Sequence, residues 1–211
     1  MDRLLVCAVI GDINGSRNLS RRARVQEKFE GAIVRLNREY AKAIASNFVL
    51  TIGDEFQGLL RSPSESVSCI RRFRELMEPV SFSFGVGVGG LSTPLKPERA
   101  LGMDGEAFHR ARAALTSAKH GGQLLAFDFP GPAMPLVNAL VGLMEKQWSR
   151  LTPRQREIAA LLRKHKRQRT VARRLGISQP AVSKSASAAD IAHLRQAETA
   201  LQSFLDSLIP S

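Results

Sequence analysis

Apolar positions along this chain change period several times, and each change predicts an element. Leu4 to Ile10 is a continuous, β-branched-rich run, the pattern of a buried strand, and Phe48 to Ile52 is a second. Between them Val25, Phe29, Ile33, Leu36, Tyr40 and Ile44 recur every three or four residues, which predicts one helix from about Ser20 to Ala45. Apolar residues flank Gly53-Asp54 on both sides, so 47–60 reads as a hairpin. Val67, Ile70, Phe73, Leu76 and Met77 mark a second helix over about 64–77, ended by Glu78-Pro79. Residues 80–88 alternate in period two, and the glycines in their second half permit close approach of a neighbouring element or a ligand. A third helix over about 104–119 ends at His120-Gly121-Gly122, and 123–127 is a last strand. The order β-α-β-β-α-β, with a helix and a strand added, predicts a ferredoxin-like α+β sheet with helices on one face.

Phe129-Pro130-Gly131-Pro132 punctuates the chain, which predicts an α+β domain over 1–130 and an all-α domain over 131–211. In the second part Leu136, Leu140, Leu143 and Met144 predict an inward stripe on a connecting helix over 134–148. Thr152 and Pro153 look like a helix start, with Gln155 at the capping-box position. Ala172, Gly176 and Val182 have the spacing of a helix-turn-helix: a first helix over about 170–175, a turn at Gly176-Ile177, and a second helix capped by Ser178. Ile191, Leu194, Ala197, Leu201, Phe204 and Leu208 make the stripe of a final helix.

Charge sharpens this division. The 211 residues carry a net +12, with 18 basic against 14 acidic side chains in 1–130 and 13 against 5 in 131–211. The shorter part holds most of the excess, and DNA is its expected partner. Gln179, Ser183 and Lys184 would meet base edges and phosphates from the start of the second helix. Arg163, Lys164, Lys166, Arg167, Arg169, Arg173 and Arg174 flank the motif as phosphate contacts. A three-helix bundle with a solvated basic face is the plainer alternative. Two cysteines make no disulfide framework, and the N-terminal apolar run is too short for a signal segment or a membrane span. The expectation is a soluble cytoplasmic protein without a membrane partner.

Candidate chemistry lies at the strand ends. Asp12 follows the first strand in Gly-Asp-Ile-Asn-Gly-Ser-Arg, and Asp54 and Glu55 follow the second in Ile-Gly-Asp-Glu-Phe. Gly-Asp is ordinary turn chemistry on its own. Two such pairs at the ends of apolar strands suggest a clamp in which Asp12 and Asp54 hold Mg²⁺ against nucleotide phosphates, with Glu55 either a third ligand or a base behind them. Ile13, Asn14, Gly15 and Ser16 would offer loop groups to phosphate, and Arg17 a guanidinium.

The segments AVIGDINGSR, TIGDEFQGLL and GEAFHRARAALTSAKHGG, in this order, resemble the SatD family of bacterial proteins. The first 130 residues are also similar to a reduced nucleotidyl cyclase domain of the class III and GGDEF kind. That resemblance implies a metal-binding aspartate at Asp12 within a phosphate loop, and a second carboxylate at Asp54 or Glu55. The asparagine and arginine that steady the transition state in class III cyclases fall on Phe108 and Arg112, leaving the arginine to neutralise phosphate. Bulky Ile52 stands where diguanylate cyclases have glycine. LTPRQREIAALL followed by VARRLGISQPAVSK resembles helix-turn-helix regions of bacterial transcription regulators. The combined expectation is a homodimeric DNA-binding transcription regulator whose cyclase-like domain binds a nucleotide and Mg²⁺. The alternatives are an active nucleotidyltransferase or cyclase carrying a DNA-targeting module, and a DNA-binding protein whose cyclase-like half only dimerises.

Overall fold

The computed structural model describes residues 5–15, 22–51, 53–165 and 167–209. Strand β1 (Leu5–Ile13) is the middle of a five-stranded sheet whose order is β2-β3-β1-β4-β5. The other strands are β2 (Ile44–Leu50), β3 (Glu55–Leu60), β4 (Phe82–Gly90) and β5 (Leu125–Asp128). Pairings are antiparallel except that β5 runs parallel to β4. The sheet is flanked by α1 (Arg22–Glu39), α2 (Ser66–Met77) and α3 (Glu106–His120). A protein of mixed α+β class results, and no described helix is long and apolar enough to cross a membrane.

Helices cover both faces of the sheet, where one covered face was expected. On one face Phe29 of α1 and Phe73 of α2 meet Phe56, Phe82 and Phe84 of the strands, with Phe56 and Phe73 stacked at 4.3 Å between centroids. On the other, Val6, Ala8, Ile10 and Leu59 pack with Ala107, Ala111 and Leu115 of α3. The glycines of β4 make this second layer possible. A Cβ on Gly87 would stand 2.2 Å from the Ala111 nitrogen and 2.3 Å from the Ala107 oxygen, and one on Gly85 would be 2.0 Å from the Ala111 oxygen. Backbone rests on backbone here, and both β1 and β4 are buried from either side, hence their unbroken small and apolar sequences.

The first helical stripe runs past its helix. Phe29, Ile33 and Leu36 are buried as expected, but α1 stops at Glu39, and Ile44 is buried as the first residue of β2. Asn37 holds this corner, its side chain donating to the Phe48 oxygen at 2.9 Å and accepting from the Phe48 N–H at 2.8 Å. The expected cap Ser20 lies outside the described residues.

The chain divides into two compact units, one taking in the chain up to Ala139 and again from Leu201, the other Leu140–Ala200. Helices α4 (Met134–Arg150) and α8 (Ile191–Asp206) each run across a division. Asn138 sets the rotation of α4 by pairing with both backbone groups of Phe127, at 2.7 and 2.9 Å. Val137, Val141 and Met144 are therefore buried, while Leu136 and Leu143, expected inward, are 72% and 68% exposed. At the far end of α8, Phe204 meets Phe129 of the first unit and Asp206 accepts from Ser62 at 3.1 Å.

The second unit holds α5 (Pro153–Lys164), α6 (Gln168–Leu175) and α7 (Gln179–Ala188). The capping box at Thr152 and Gln155 forms as its sequence suggests. Gly176 takes the left-handed conformation between α6 and α7 (φ 63°), and the Ser178 side chain accepts from the Ala181 N–H at 3.3 Å. Val171, Ala172 and Val182 are buried between the helices.

Candidate ligand and nucleic-acid sites

Antiparallel pairing brings acidic residues together at the end of β1. Asp12 stands opposite Glu55 on β3 and opposite Ser83 on β4, so these side chains share the face covered by α3. The cross-strand partner of Asp12 is thus Glu55; Asp54 lies one residue earlier, its backbone oxygen accepting from the Ile13 N–H at 3.3 Å. Both opposed carboxylates are engaged by α3. Lys119 Nζ donates to Asp12 Oδ2, and Arg112 grips Glu55 with both terminal nitrogens, Nη2 to Oε1 at 2.7 Å. Glu55 raises the Arg112 pKa above the ordinary arginine value, and burial lowers that of Lys119. Arg112 and Lys119 are seven residues apart, two helical turns, so one edge of α3 presents both cations.

A cavity of about 390 Å³ opens beside this cluster, lined in part by Asn14, Gly15, Ser83, Lys119, Gly122 and Gln123. Asn14 is fixed by Ser83 of β4 and by Ser81 just before that strand: its Nδ2 donates to Ser81 Oγ at 3.0 Å, its Oδ1 accepts from Ser83 at 2.8 Å, and its N–H donates to the Ser81 oxygen at 2.9 Å. The cavity's lining is nearly half apolar, Ile13 and Leu124 included, and the Lys119 ammonium on its wall already holds Asp12. Ser16, Arg17 and Ile52 lie outside the described residues.

Asp12, Asp54 and Glu55 supply oxygen donors of the kind Mg²⁺ prefers. Asp12 and Glu55, however, already hold Lys119 and Arg112, and among the described residues no group of three His, Cys, Asp or Glu side chains is arranged to hold a metal ion. A divalent cation at Asp12 would compete with the Lys119 ammonium for Oδ2. Sequence reading left Lys119 out of the site, although its spacing from Arg112 was a usable signal. The thiols of Cys7 and Cys69 are free and buried, with burial raising the pKa of each, and play no part.

In the second unit the side chains of Arg169, Arg173, Arg174, Ser178, Gln179 and Lys184 are exposed, with Ser183 half-buried. Lys164 and Arg167 are exposed beside them, and Lys166 lies outside the described residues. Arg163, expected on the same basic face, turns inward: its guanidinium lies 4.4 Å from the Trp148 ring centroid and pairs with Glu198 at 3.4 Å. Burial lowers the His165 pKa, and Arg174 and Lys164 act in the same direction. The first helix of the motif, expected from about Thr170, begins two residues earlier, at Gln168, whose side chain accepts from Gln179 at 2.7 Å.

The model of the SatD family matches residues 6–204. The chain belongs to the SatD family. Among curated proteins no sequence matches it. Solved structures similar to this SatD-family chain include a bacterial light-regulated adenylyl cyclase, at 14% identity over 60% of this chain and 77% of that one, TM-score 0.43. The catalytic core of a rhodopsin-guanylyl cyclase with converted specificity, in complex with ATPαS, is similar at 15% identity over 55% and 73%, TM-score 0.44. A regulator of polyketide synthase expression from Bifidobacterium adolescentis is similar at 14% identity over 98% and 83%, TM-score 0.27.

Proposed function

We propose that this SatD-family protein is a DNA-binding transcription regulator, acting as a homodimer, in which α6 and α7 form a helix-turn-helix and the ferredoxin-like, cyclase-like sheet unit binds a nucleotide. One observation carries the reading. The left-handed turn at Gly176 leads into a Ser178-capped helix anchored by fully buried Val182, while Arg169, Arg173, Arg174, Gln179 and Lys184 face water around it. Arginine and lysine would neutralise phosphates, and Ser178, Gln179 and Ser183 at the start of α7 would face base edges.

In the sheet unit the nucleotide phosphates would enter the cavity beside Ile13, Asn14, Gly15 and Lys119; Ser16, Arg17 and Arg112 complete the set of phosphate contacts expected from the sequence. Mg²⁺ brought with them would draw on Asp12, Asp54 and Glu55 once Lys119 and Arg112 had turned from Asp12 and Glu55 to phosphate, and would supply charge neutralisation.

The test is fluorescence anisotropy of labelled duplexes with the full chain over a range of salt. Lys184→Ala and Arg173→Ala are each expected to weaken binding on every duplex and to lower the slope of log K against log salt by about one. Full affinity in both variants would overturn the assigned face.

A further inference from the structure

Gln168 opens α6, Gln179 opens α7, and the Gln179 side-chain nitrogen donates to the Gln168 side-chain oxygen at 2.7 Å. Gln179 is exposed and Gln168 half-buried. Fixing two glutamines costs more rotamer freedom than one neutral surface hydrogen bond returns, so the contact is a poor device for stability. Its effect is on orientation. A primary amide carries two N–H donors and one acceptor oxygen. With one N–H of Gln179 committed to Gln168, the oxygen and the other N–H remain. Adenine presents the matching pair in the major groove, the N6 amino group as donor and N7 as acceptor. Guanine presents two acceptors there and leaves the glutamine oxygen unmatched.

We propose that Gln179 reads an adenine in the DNA major groove and that Gln168 is a positioning residue that holds the Gln179 amide for that purpose. The proposal rests on the DNA-binding reading of α6 and α7 and adds to it the base that is read and the residue that aims the reader.

The experiment selects preferred duplexes from a randomised pool with the full chain. Dissociation constants are then measured at fixed salt for the preferred duplex and for each of its single-base replacements. One position in each half-site is expected to favour adenine by about tenfold or more, with Gln179→Ala erasing that preference and leaving the other positions unchanged. Gln168→Ala should reduce the preference at the same position and add nothing in the double variant. Gln168→Glu keeps an acceptor for the Gln179 N–H, so it should retain the adenine ratio while its charge weakens binding to all duplexes alike. A preference that Gln179→Ala moves at no position, or a Gln168→Ala variant weakened equally on every duplex with its adenine ratio intact, would overturn the proposal. A parent chain that binds no duplex would remove the DNA reading itself, and this proposal with it.

Discussion

At the scale of single residues, what decides chemistry in this protein is which cation each carboxylate has found. Glu39, at the end of α1, is held by Arg72 of α2 and by Arg35, and these bonds depress its carboxyl from the ordinary 4.5 to about 2. A depressed carboxyl stabilises the fold above its ordinary pKa and loses that contribution as pH falls through the folded value. Glu39→Gln is therefore expected to be less stable than the parent at pH 7, by up to about 1 kcal/mol for a pair this close to water, with the difference shrinking between pH 4.5 and 2. Urea unfolding at several pH values measures it. Asp12 offers a second case. Lys119→Ala removes the ammonium that occupies it, and Mg²⁺ affinity is expected to rise roughly fivefold, the equivalent of one lost ion pair. Calorimetric titration of parent and variant checks this; an unchanged affinity would mean that Mg²⁺ does not compete for Asp12. Arg35 and Glu39, four apart on one helix, are a pair the sequence itself offers; Asp12 and Lys119 are not, because 107 residues separate them and only the folded sheet makes them neighbours.

At the scale of elements, local signals read well and rotations read poorly. Thr152, Gln155, Gly176 and Ser178 announce helix boundaries through bonds to residues three or four away, so their roles were visible before any fold. The face that α4 turns inward is set by Asn138 reaching Phe127 across the sheet edge, and counting leucines along the helix could not reveal it. Ile44 continued the helical period by coincidence while belonging to a strand. The strand-end acids were visible as a pair, but Glu55 rather than Asp54 faces Asp12 because the register of β1 against β3 decides it. The packing of α3 on β4 yields a prediction of its own. Gly87→Ala forces the backbone of α3 away from the strand, and the expected loss is about 3 kcal/mol, seen as a lower urea midpoint. Gly122→Ala is no equivalent control, since its φ of 65° strains any side chain whatever the space; Gly31→Ala, in open space on α1, should be neutral or better.

At the scale of the molecule, the proposed regulator requires that the sheet unit and the basic unit exchange free energy. A nucleoside triphosphate that changes DNA affinity by some factor must have its own affinity changed by DNA to the same factor. We expect coupling of about fivefold or more, measured as the two dissociation constants for each ligand with and without the other. A nucleotide that binds and shifts nothing would leave the sheet unit as an assembly platform.

The chain leaves the sheet unit along α4 and comes back to it along α8, so the basic helices are an excursion with both ends moored. A protease that nicks the excursion once produces two fragments that still travel together, because each keeps a segment of the moored unit. Only a second cleavage sets the basic helices free, and a digestion time course should show nicked, co-eluting species before any liberated piece.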